Sequence, residues 1–208
     1  ELGHEGSIIN TPDRDQIIRE LTAEPFDYIH VHYDVFYDMM DLIHEKCPDA
    51  KLAISSHYPY IDQPDRHPRD GYDRIYKWLI ENDKYYNFCI SYKDYETYKR
   101  DGAPLDKLLV CPNGAQHRDY NFQENPAKPD WTLYLGKIEP RKRQHVYQCI
   151  YGIEFVGHYT DTTSFNPNLK DYLGEWSHQH KLQHVTDYGN MLLLSDGENG
   201  TPLVIKEA

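Results

Sequence analysis

Cysteine is scarce in this sequence and does not cluster. Its four cysteines, Cys47, Cys89, Cys111 and Cys149, stand far apart in 208 residues with no C-x-x-C among them. That spacing argues against a disulfide framework and makes a reduced, cytoplasmic setting the expectation. Long apolar runs are missing as well. Nothing approaches the ~20 residues a helix needs to cross a bilayer, so no membrane span is expected. Positive charge is also in short supply. The 22 lysines and arginines face 34 aspartates and glutamates, and the net charge of −12 excludes nucleic acid as the main partner of the whole chain, because phosphate backbones are bound by basic faces. No repeat recurs at a solenoid period.

What is present describes a folded protein. Hydrophobic residues make up 39% and charged residues 27%, a balance that permits a core and argues against disorder. Nineteen tyrosines offer ring surface with a hydroxyl attached, which suits sugar binding without establishing it. Short apolar runs alternate with helical stretches. Strands are expected at Ser7–Asn10, Asp27–His32, Lys51–Ser56, Tyr86–Ser91 and Lys107–Cys111. Thr11-Pro12-Asp13 reads as a helix start with proline at the first helical position, and a second helix is expected from about Asp34 to Lys46. The polar, two-proline stretch Asn121–Asp130 reads as a linker. The alternation then restarts with strands at Thr132–Leu135, Glu154–Val156, Tyr172–Leu173 and Met191–Leu194, and helices at about Lys142–Ile150 and Ser177–Val185. This order implies βαβ units and parallel sheets, an α/β chain of two Rossmann-like lobes. The lobes are expected at residues 1–124 and 125–208, the first without its opening strand and the second incomplete. Glu1–His4 looks like the end of a helix, and Lys206–Ala208 falls where another should be starting, so the chain reads as cut short at both ends.

Two stretches carry chemistry. Tyr134–Gln144, YLGKIEPRKRQ, runs from a strand into a glycine, a lysine, a proline turn and further basic residues at a helix start. Helix N-termini and adjacent lysines bind anions such as phosphate; the same residues also suit a solvated basic helix start. Leu192–Ala208, LLLSDGENGTPLVIKEA, ends a strand in a glycine- and carboxylate-rich loop. Ligands of open α/β sheets bind at such carboxyl ends, and its carboxylates suit sugar or ribose hydroxyls, although a plain loop with a capping carboxylate fits equally.

Together these stretches resemble the donor lobe of GT-B glycosyltransferases, in particular the retaining group called glycosyltransferase family four. Its G-R-x(4)-K-G motif falls on Gly136, Lys137 and Lys142, and the second glutamate of its E-x(7)-E motif on Glu207, with Gly200, Pro202 and Leu203 in the stretch between. Phe155-Val156-Gly157 and Tyr172-Leu173-Gly174 match strands between the two motifs. Two positions depart from the pattern. Lys137 replaces an arginine and loses its bidentate fork. Asn199 stands at the first glutamate, with Glu198 one position earlier. In the first lobe, Ala53–His57 resembles the strand that brings a histidine toward the donor sugar, and Val110–Gly114 resembles the family's P-N-G turn.

The resemblance implies transfer of a sugar from a nucleoside-diphosphate sugar to an acceptor hydroxyl, with retention and without a metal or other cofactor. It implies that Lys137, Lys142 and the segment Thr201-Pro202-Leu203 stabilise the leaving diphosphate and that Glu207 holds the ribose. His57, Glu198 and Asn199 are then the catalytic candidates, with the acceptor mainly on the first lobe. Two alternatives stand beside it. One is a relative that binds sugar or nucleotide without catalysis, given Asn199. Another is a metal-dependent hydrolase using His30-Val31-His32-Tyr33-Asp34, whose two histidines share one face of a strand. The clustered His178, His180 and His184 suggest a wet helix face rather than a metal site. Self-association of the chain is a further expectation, from exposed edges and apolar faces.

Overall fold

The computed structural model describes residues 3–114, 120, 123–160 and 164–197. The chain divides into two compact units, Glu1–Cys111 and Pro112–Ala208.

The first unit begins with α1 (Arg14–Leu21). Its cap is Asp13 rather than Thr11: the Asp13 carboxylate accepts the Asp15 and Gln16 amides at 3.0 and 3.1 Å. Thr11 instead accepts the Asp13 amide through its hydroxyl. A carboxylate beside the N-terminal amides gains from the helix dipole, which a hydroxyl two residues earlier would not. The strands are β1 (Tyr28–Val31), β2 (Lys51–Ser55), β3 (Tyr86–Cys89) and β4 (Leu108–Val110), all parallel and in spatial order β1-β2-β3-β4. Between them lie α2 (Met40–Lys46), α3 (Asp73–Glu81) and α4 (Tyr92–Arg100). The helix expected from Asp34 begins as a 3-10 segment, Asp34–Met39, and becomes α-helical only at Met40. Ser7–Asn10 forms no strand: Ile8 is 92% exposed, and only Ile9 of its apolar pair packs on the core.

Every crossover in this unit advances in one direction along the sheet. The right-handed rule therefore sends the connecting helices to one face. Burial agrees: Ile29, Leu52, Ile54, Cys89 and Leu108 pack with Met40, Ile43, Leu79 and Tyr98 in one core. The other face carries Tyr28 and Leu109, which stay 69% and 46% exposed.

The second unit has β5 (Lys128–Leu135), β6 (Ile153–Val156) and β7 (Tyr188–Met191), parallel and ordered β6-β5-β7. β5 begins inside the stretch expected to be a linker, and β7 lies three residues before its expected start. Tyr172 makes one parallel bridge to Phe155 and no longer strand. The expected Lys142–Ile150 helix is also absent. A 3-10 turn, Pro140–Lys142, is followed by Arg143 at φ 59 and by a single turn, α5 (Gln144–Tyr147). A left-handed residue breaks the i→i−4 ladder, and Cys149 at φ 69 closes the other end. The later helix, α6 (His178–His184), is capped by Ser177 as its sequence suggests.

Because β6 and β7 flank β5 on opposite sides, the chain reverses direction across this sheet and covers both faces. Tyr134 and Phe155 pack with Tyr147 on one side; Leu133 and Val156 pack with Val185 and Trp176 on the other. The reversal leaves a switch point at the carboxyl ends of β5 and β7, where ligands of open α/β sheets bind.

The ends of β5 and β6 approach closely at Gly157. It has φ 151, and a Cβ there would lie 1.9 Å from the Gly136 carbonyl oxygen. Gly157→Ala is expected to cost about 2 kcal/mol or more, measured as a lower urea midpoint. An unchanged midpoint would contradict this packing.

Candidate functional site

The carboxyl edge of the first sheet gathers histidines. His30 lies in β1, His32 just beyond it and His57 just beyond β2. The rings of His30 and His32 are 5.2 Å apart, and those of His32 and His57 4.4 Å. His30 Nε2 shares a 2.7 Å hydrogen bond with the Ser55 hydroxyl. Beneath them Asp34 is buried and accepts the Tyr72 hydroxyl at 2.5 Å, and the same hydroxyl is 2.5 Å from Ser56 Oγ. The carboxylate of the H-x-H-x-D string is thus tied into the core. Among the described residues, no group of three or more His, Cys, Asp or Glu is placed to hold a metal ion.

This edge favours the neutral form of His30 and His57. Burial of its ring against the sheet, then the neighbouring His32 and His57, lower the His30 pKa to about 4, although part of the residue remains exposed. Burial and His32 also lower His57, and Asp34 works the other way. His57 Nε2 is buried without a hydrogen-bond partner. Across the sheet, Ser91 caps α4 by accepting the Asp94 amide at 3.1 Å. Burial raises Asp94 itself to about 6.

The second unit places a basic turn at its switch point. Gly136 follows β5, and Lys137, Arg141, Lys142 and Arg143 bring four cations within seven residues. Tyr134, fully buried, fixes the arrangement: its hydroxyl donates a short hydrogen bond to the Lys142 carbonyl and accepts the Leu194 amide at 3.1 Å. Arg141 joins the same two loops. Its Nη1 donates to the Gly197 carbonyl at 2.7 Å, and its own carbonyl accepts the Asp196 amide at 2.7 Å. Glu139 pairs with Arg141 at 2.9 Å and with Lys137 at 3.7 Å, and Asp196 with Arg143 at 3.9 Å. Gln144, fully buried, donates to the Lys137 carbonyl at 2.8 Å, while its Oε1 has no partner.

Gly136 itself is not required by the fold. Its φ lies outside the left-handed region, and a Cβ there would meet nothing within 4 Å. A glycine there leaves room beside the turn, although its own amide is already held by the Val156 carbonyl at 2.8 Å.

Of the expected site residues, Gly136, Lys137 and Lys142 share this turn, and His57 lies in the first unit. Glu198, Asn199, Thr201, Pro202, Leu203 and Glu207 lie outside the described residues. Where a helix start was expected, α5 is a single turn, and four side-chain cations stand ahead of it or at its cap. The sequence pattern does not single out Tyr134, Glu139, Arg141 or Gln144. Arg141 was legible as part of the basic run; Tyr134 looked like an ordinary strand residue.

Fold and turn together define an α/β protein with a basic switch-point loop. Comparison with protein-family models gives no match, and neither does comparison with curated proteins. Among solved structures, the apo form of lipopolysaccharide outer core galactosyltransferase WaaB is similar to this chain at 14% identity and a TM-score of 0.49. The match covers 87% of this chain and 53% of that one, so the chain spans about half of that protein's length.

The histidine edge predicts a pH dependence. A histidine with a depressed pKa contributes stability that is present above its ordinary value of 6.5 and lost as pH falls toward about 4. Asp94 acts oppositely: its raised pKa favours the folded state at low pH, an advantage lost as pH rises through about 6. The difference between wild-type and His30→Gln unfolding curves isolates the histidine. Wild type is expected to lose more stability between pH 6.5 and 4 than the variant; parallel curves would show that His30 titrates normally.

Proposed function

We propose that this protein transfers a sugar from a nucleoside-diphosphate sugar to an acceptor hydroxyl, with retention at the anomeric carbon, as the resemblance to glycosyltransferase family four implies. The observation that carries this reading is the basic turn at the β5/β7 switch point, locked by the Tyr134 hydroxyl, with open space beside the Gly136 Cα. Such a loop suits a diphosphate. The departing diphosphate gains negative charge as the glycosidic bond breaks, and fixed cations at that position stabilise the charge as it develops. Lys137 and Lys142 are the proposed phosphate ligands, with Gly136 leaving room beside them for the ligand.

The remaining assignments follow from the resemblance. Glu207 holds the ribose, Thr201-Pro202-Leu203 adds main-chain contact to the phosphates, and Glu198 or Asn199 meets the sugar. In the first unit, His57 is the candidate for the sugar or acceptor hydroxyl. Burial and the neighbouring His32 lower its pKa and favour the neutral ring, which suits a hydrogen-bonding group rather than a fixed cation. The charge for the diphosphate then comes from the second unit, without a resident metal.

Calorimetric titration with UDP, GDP and ADP, followed by sugar-transfer assays with the matching nucleotide-sugars, tests the reading. At least one diphosphate is expected to bind. Lys142→Ala should weaken that binding by about 1–3 kcal/mol, the range for a charge-assisted hydrogen bond. Gly136→Ala should leave the melting temperature almost unchanged while weakening binding, since its methyl group enters open space. Equal binding by wild type and both variants would remove the phosphate assignment.

A further inference from the structure

The cations of the basic turn are partly neutralised from within. Glu139 directs one carboxylate oxygen to Arg141 Nη2 at 2.9 Å and the other toward Lys137 Nζ at 3.7 Å. Two features show that this carboxylate is not needed to build the turn. Glu139 caps the Pro140–Lys142 segment through its main chain, and its side chain makes no capping hydrogen bond. Arg141 is held independently, by Nη1 on the Gly197 carbonyl and by the Asp196 amide on its own carbonyl. The carboxylate therefore sits on an arginine whose position other bonds already fix, and reaches the exposed Lys137 beside it.

Resting on the diphosphate reading above, we propose that Glu139 is an internal competitor for the ligand's phosphate and sets the threshold an anion must exceed to occupy the turn. An entering diphosphate takes Arg141 and Lys137 from Glu139. It carries more charge than one carboxylate and offers oxygens to the arginine fork in bidentate fashion, so the exchange favours it. A weak, singly charged anion gains too little to displace the carboxylate. Glu139 thus determines specificity by charge, and Arg141 joins Lys137 and Lys142 as a phosphate ligand once released.

Calorimetry of the full chain with inorganic pyrophosphate, at low ionic strength, tests this with wild type, Glu139→Gln and Glu139→Asp. Far-UV circular dichroism checks that each variant is folded. Removing a unit charge several ångströms from the ligand is expected to tighten pyrophosphate binding about tenfold in Glu139→Gln. Glu139→Asp, whose carboxylate reaches less far, should tighten it about threefold, and it carries the test if the glutamine variant does not fold. Binding equal to or weaker than wild type in the folded variants would overturn the proposal while leaving the anion site in place, because Glu139 would then support Arg141 rather than compete with the ligand. No pyrophosphate binding by any of the three proteins would instead overturn the diphosphate reading, and this inference with it.

Discussion

The second unit depends on one buried hydroxyl. Tyr134 ends its side chain between two loops, donating to the Lys142 carbonyl and accepting the Leu194 amide. Both partners are main-chain groups, so the hydroxyl fixes backbone rather than a mobile side chain. The loop after β5 and the loop after β7 therefore behave as one body. A buried hydroxyl without partners would cost free energy, so the ring and both loops hold one another in place. Arg141 adds a second tie between the same loops. The basic turn gains by this means the fixed geometry that a helix N-terminus would otherwise supply, since the helix after it is only one turn long.

Charge is distributed unevenly along the chain. The whole chain is strongly acidic, yet the β5 turn concentrates four cations. Two carboxylates, Glu139 and Asp196, lie against them. Arg143 sits in the left-handed region, a conformation that costs a non-glycine residue about 1–3 kcal/mol and persists because surrounding bonds hold it. The carboxyl edge of the first sheet follows the opposite logic. There burial and crowding lower the pKa of His30 and His57, and a buried carboxylate is satisfied by a tyrosine hydroxyl. One edge suits an anion; the other suits neutral hydrogen bonding.

Local signals in the sequence located most elements. The apolar runs at Asp27–His32 and Lys51–Ser56 became β1 and β2 with ends trimmed by one or two residues, because hydrophobic alternation is a property of the run itself. Asp13 and Thr11 competed for one cap, and the carboxylate won. Signals that depend on distant residues were less legible. Nothing in Lys142–Ile150 announces the left-handed Arg143; the loop after β7 contacts that turn through Asp196 and Tyr134. β7 starts earlier, at Tyr188 paired with Lys128, and Gly189 permits the close pass of the Pro129 carbonyl, where a Cβ would come within 2.0 Å. In the site, the glycine and lysines were legible as a motif. The Tyr134 tie and the Glu139 carboxylate were not, since both act through tertiary contacts that no spacing encodes.

Amide chemical-shift mapping of the intact chain during titration with a nucleoside diphosphate tests the central claim most directly. The account predicts that the largest shifts fall on Gly136–Arg143 and on Leu194–Gly197 together, with saturation at a common dissociation constant, because the Tyr134 hydroxyl makes those loops one body. Shifts confined to residues remote from both loops, or saturating binding that leaves Gly136–Arg143 unmoved, would contradict it.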